Sequence, residues 1–130
     1  MLAISRILAG IGGLLLLATA YLHSTGTSMV RNALTVAELS EFLTRALPAI
    51  WMVFSWHLVV MSVPLLAAAF VRAHWLLPVT VFCGVVAFGD FLWVFSVAQW
   101  FPGTYLLVSV VLLLVISVFF QLRANREHAT

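Results

Sequence analysis

The stretch AIWMVFSWHLVVMSVPLLAAAF, residues 49–70, decides the fold. Apart from two serines, a proline and one histidine it is apolar from end to end. A membrane strand would need polar and apolar residues to alternate over about ten positions, and no such alternation runs through it. At about 1.5 Å per residue a helix of this length crosses a hydrocarbon core of roughly 30 Å. Three further stretches read the same way, at about residues 2–22, 76–100 and 104–122. Lipid offers no hydrogen-bond partner to a backbone, so spanning segments must satisfy their own amides, which helices do. The sequence therefore predicts an all-α fold, a four-transmembrane-helix bundle, as one integral membrane domain over residues 1–130.

Composition agrees with that reading. Of 130 residues, 65% are hydrophobic and 8% charged, whereas a soluble domain carries about 25% charged residues to cover its surface. All six basic residues are arginines, at Arg6, Arg31, Arg45, Arg72, Arg123 and Arg126. They form no run, which argues against a nucleic-acid partner. The absence of lysine beside abundant Arg, Ala, Val and Leu hints at a GC-rich coding sequence, and so at a bacterial inner membrane. Cys83 is the single cysteine, so an intrachain disulfide is impossible.

The first apolar stretch, with Arg6 near its start and Ala18-Thr19-Ala20 at its end, also has the outline of a cleavable signal peptide. The reading preferred for it is a first membrane helix. Arg6, Arg72, Arg123 and Arg126 fall on one side of the membrane, Arg31 and Arg45 on the other, and the excess places both termini inside. Residues 23–47 form the outer loop between the first two spans. STGTS (24–28) reads as a turn, and Thr35 with Glu38 reads as a capping box. Val36, Leu39, Leu43, Ala46 and Leu47 then follow at helical spacing. The expectation is a short amphipathic helix on the outer interface, with a plain lead-in to the second span as its alternative. Pro102-Gly103 marks the last outer turn, and Pro64 frees a carbonyl near Val60. Ala9 and Gly13, four apart, let a second backbone approach the first helix.

Asp90, within VAFGDFLWVF (85–94), carries the chemistry. A mid-helix Asp costs about 2.5–3.5 kcal/mol on insertion scales, so it is expected to face the interior and to take a partner or be protonated. At about 1.5 Å per residue Asp90 lies about 15 Å below Trp100, and His57 about 14 Å below Pro48 on an oppositely directed helix. The two are thus expected at one level, close enough to pair as a structural clasp or as a functional centre. Thr80, Cys83 and Asp90 share one stripe of the third span. Trp56 and Trp93 would give a cavity aromatic walls, and Met61 completes the candidate ligand-binding set of His57, Asp90, Trp56, Trp93, Cys83, Thr80 and Met61. His23 reads as an interface residue about 14 Å from the level of His57. The serines Ser55, Ser62, Ser109 and Ser117 read as satisfied by the carbonyls four residues back.

No HxxxH, CxxC or ExxH pair exists, so neither a metal nor another cofactor is expected. Nucleophile elbows, Walker loops and dinucleotide fingerprints are missing too. The leading expectation is a bundle in the lipid bilayer that binds a lipophilic small molecule, or a partner membrane subunit, around His57 and Asp90. A membrane-embedded enzyme would use the same two residues as catalytic acid and base on a lipid-soluble substrate. A proton-coupled transporter would need a homo-oligomer.

Overall fold

A computed structural model describes residues 1–37, 39–70 and 75–127. Its elements are α1 (Leu2–Thr25), α2 (Thr27–Thr35), α3 (Glu41–Phe70), α4 (Leu76–Ala98) and α5 (Pro102–Glu127). α1, α3, α4 and α5 are long and apolar enough to cross a membrane, α1 being continued by α2 in that measure. Among the described residues the fold is all-helical.

The four long helices form a ring. α1 packs most extensively on α3 and α5, and α5 in turn on α4. α3 and α4 also touch, but far less. Small residues explain the tight side. A Cβ added to Gly13 would stand 3.0 Å from Leu66 Cγ and 3.2 Å from the Ser62 carbonyl, and one added to Gly12 would stand 3.0 Å from Leu114 Cδ2. Glycine there lets α3 and α5 close on α1, as the spacing of Ala9 and Gly13 suggested. Leu16, Leu58, Leu65, Leu107, Val110 and Leu114 fill the space between the helices.

The loop between the first two spans departs from expectation. Residues 24–28, read as a turn, are helical apart from Gly26, where α1 passes into α2. Thr35 does not open a helix but ends α2, and its hydroxyl donates to the Asn32 carbonyl at 2.7 Å. Glu38, the other half of the expected capping box, lies outside the described residues, as do Arg72 and His74. The next helix starts later, where the Ser40 hydroxyl accepts the Leu43 amide at 3.4 Å. From Glu41 the helix runs unbroken through Pro48 into the second span. Residues 41–47 are therefore the lead-in rather than a separate amphipathic helix. Pro48, the eighth residue of α3, lacks the amide that would bond the Thr44 carbonyl, yet the helix continues past it.

At the far end, α4 stops at Ala98 because Gln99 takes φ 55°, and the Thr104 hydroxyl donates to the Gln99 carbonyl at 2.8 Å. Pro102 then serves as the first residue of α5 rather than as part of the turn.

Candidate functional site: the seam between α3 and α4

His57 sits near the middle of α3 and Asp90 near the middle of α4, both on the flank facing the other helix. His57 Nε2 and Asp90 Oδ2 lie 3.1 Å apart, within hydrogen-bond range. The pair is not enclosed: 37% of the His57 side chain and 19% of the Asp90 side chain remain exposed. One further polar contact crosses the same seam, where the Cys83 thiol donates weakly to the Met61 carbonyl at 3.7 Å. The seam that the bundle closes least is thus the one holding its ionisable pair.

The remaining candidates scatter. Cys83 and Met61 are buried packing residues one to two turns along the seam from the pair. Thr80 is fully buried on the other side of α4, where its hydroxyl donates to the Leu76 carbonyl at 2.7 Å and accepts Gln121 Nε2 at 3.3 Å. The stripe Thr80–Cys83–Asp90 therefore splits, Thr80 meeting α5 while Cys83 and Asp90 meet α3. Trp56 and Trp93 wall no cavity around the pair, being 64% and 72% exposed. The geometry requires this for Trp56, since neighbours on a helix diverge by about 100° and His57 already faces α4. A groove of about 290 Å³ does exist, but between α1 and α3, lined by residues that include Leu17, Tyr21, Ser55 and Trp56 and not by His57 or Asp90.

Two arrangements escaped the sequence reading. His23 is not a lone rim residue: its ring stacks on Trp51 at 3.9 Å and its Nδ1 lies 2.9 Å from the Ser55 hydroxyl. The Trp51 indole N–H donates back to the His23 carbonyl at 2.7 Å, so the C-terminal end of α1 is clasped to α3. Ser55 precedes His57 by two residues, a rise of about 3 Å, so a His23 ring in contact with its hydroxyl lies nearer the level of His57 than the roughly 14 Å counted from rise alone. A depth counted from helical rise alone omits the reach of the ring and the extension of α1 to Thr25. Even so, among the described residues no three His, Cys, Asp or Glu side chains gather around one point.

The second arrangement is a buried polar ladder. The Ser5 and Ser117 hydroxyls lie 2.9 Å apart, and Ser117 also donates to the Ser5 carbonyl at 2.9 Å. Gln121 Nε2 donates to Ser117 at 3.2 Å and to Thr80, tying α1, α5 and α4 together. Ser117 therefore reaches across to α1 instead of bonding back along its own helix, whereas Ser109 does bond back, to Tyr105 at 2.8 Å. Helical spacing gave a signal that could have exposed the ladder, since Ser117 and Gln121 are four apart on one face of α5.

No known family model, curated protein or solved structure matches this chain.

Proposed function

We propose that this chain is a non-catalytic membrane subunit that docks a helix of a partner membrane protein along α4, around His57 and Asp90. One observation carries the reading: a hydrogen-bonded imidazole–carboxyl pair near mid-helix, left partly open on the least closed seam of the bundle. Hydrocarbon offers such groups nothing, so ionisable side chains in a span face protein or water. A partner's polar side chains can supply what lipid cannot.

Two features favour a helix over a small molecule as the occupant. Only 11% of the apolar stretch of α4 is buried inside the bundle, against 33% for each of the other spans, so the open surface is long rather than pocket-shaped. The groove between α1 and α3 lies away from the pair. The placement of Arg6, Arg123 and Arg126 against Arg31 and Arg45 supports a chain with both termini in the cytoplasm. The lysine-free composition supports a bacterial inner membrane as its setting.

The test is photochemical. Trp93 is replaced by benzoylphenylalanine and intact cells are irradiated. The expected product is an adduct with a polypeptide, reduced about five- to tenfold by Asp90→Asn or His57→Ala, as loss of an interhelical polar contact implies. Adducts with lipid alone would end the docking reading. A lipophilic small molecule that co-purifies with the protein and is lost in Asp90→Asn would replace docking with ligand binding.

A further inference from the structure

We infer that the partner on α4 is a second copy of this chain, related to the first by a two-fold axis along the membrane normal; this rests on the docking reading above. Such an axis leaves every residue at its own depth, so the His57–Asp90 pair of one copy meets the same pair of the other at one level. A two-fold interface must be self-complementary, the same patch serving on both sides. A patch of carboxyls alone would repel its own image, whereas an imidazole beside a carboxyl offers each copy what the other needs. Both groups have capacity to spare: Asp90 Oδ1 and His57 Nδ1 make no hydrogen bond among the described residues.

Gly89 supplies the shape. It precedes Asp90, is exposed, and a Cβ built on it would meet nothing within 4 Å. It therefore differs from Gly12 and Gly13, whose missing Cβ atoms are explained by contacts inside the bundle. Val85 and Trp93, one turn to either side on the same stripe, are 67% and 72% exposed. Together they leave a narrow waist between two large side chains. Against lipid that waist has no use; against a second helix it permits close approach at the depth of the polar pair.

The experiment uses the full-length purified chain in phosphatidylcholine–phosphatidylglycerol vesicles, with single-molecule photobleaching to count copies and disulfide trapping to locate the contact. The expected count is two, with Trp93→Cys forming a cross-linked dimer and Ile116→Cys, on the outward face of α5, forming none. Gly89→Leu lowers the dimer fraction about tenfold without changing thermal stability in detergent, because its side chain has room in a single copy. A dimer that ignores Gly89→Leu, or that cross-links through position 116 instead of 93, overturns the inference. A monomer in vesicles whose Trp93→Cys form still captures a different polypeptide in cell membranes overturns the second copy and leaves docking standing. A monomer that captures no polypeptide overturns both.

Discussion

The side of the bundle where α1 meets α3 and α5 and the seam between α3 and α4 use polar residues in opposite ways. On the first side Ser5, Ser117, Gln121 and Thr80 are at most 2% exposed and each has its partner inside the protein. Gly12 lets α5, which carries Ser117 and Gln121, close on α1, and Gly13 does the same for α3. On the seam a stronger pair of groups, His57 and Asp90, bridges helices that barely pack and remains partly exposed. The lesson is that polarity within a span does not by itself mark a site. Enclosed and satisfied polar groups hold helices together; a group left half-open asks for an occupant.

That contrast breaks most readily on its tight side. Gly13→Leu forces a side chain into Leu66 and the Ser62 carbonyl, and overpacking of this kind costs about 1–3 kcal/mol, occasionally more. Thermal denaturation in detergent should show a loss of stability larger than that of His57→Ala, Ser117→Ala or Gly89→Ala. A midpoint equal to that of the unaltered chain would mean that α1 and α3 are not closed against each other at Gly13.

A smaller effect is expected from His57→Ala. Interhelical hydrogen bonds in membranes contribute about 0.6–2 kcal/mol, and the α3–α4 seam holds little else to lose. The same denaturation measurement should give a modest drop, below that of Gly13→Leu. An equal or larger drop would show that the pair is the principal clasp of the fold, and the distinction between the two regions would fail.

Ser117→Ala should cost about 1 kcal/mol, since Gln121 keeps Thr80 while Ser5 loses the Ser117 contacts at its hydroxyl and its carbonyl. Its more telling readout is hydrogen exchange at the N-terminal end of α1 and the C-terminal end of α5, which should quicken there and not along α4. Smallest of all is Gly89→Ala, which should leave the denaturation midpoint of the detergent-solubilised monomer unchanged or slightly raised, because alanine is the better helix former and the space is open. A clear drop would place another part of the chain against Gly89.

Much of this organisation is legible in the chain, for identifiable reasons. The depth of His57 and Asp90 follows from a fixed rise per residue, so their common level needs no more than a count along each helix. Which way each neighbour points is another matter. Trp56 and Trp93 look like cavity walls because one adjoins His57 and the other lies one turn from Asp90, yet both remain exposed while His57 and Asp90 face each other. Ser117 looks self-satisfied because a carbonyl always lies four residues back, and only the approach of α1 gives it a better acceptor. The loop misleads for a related reason: Thr35 and Ser40 are both good caps, and the choice between them depends on where α3 has to begin.

By itself the sequence determined that backbone amides must be satisfied within four apolar segments, hence helices of spanning length, and that a carboxyl among them requires shelter. Those conclusions need only local hydrogen bonding and the aversion of hydrocarbon to charge. Tertiary structure alone decided which seam closes and which stays loose, because that depends on which glycine faces which side chain across helices remote in sequence. The shelter of Asp90 is incomplete for the same reason: the contacts that draw α1, α3 and α5 together lie on one side of the ring, and α4 is left with its outer surface free.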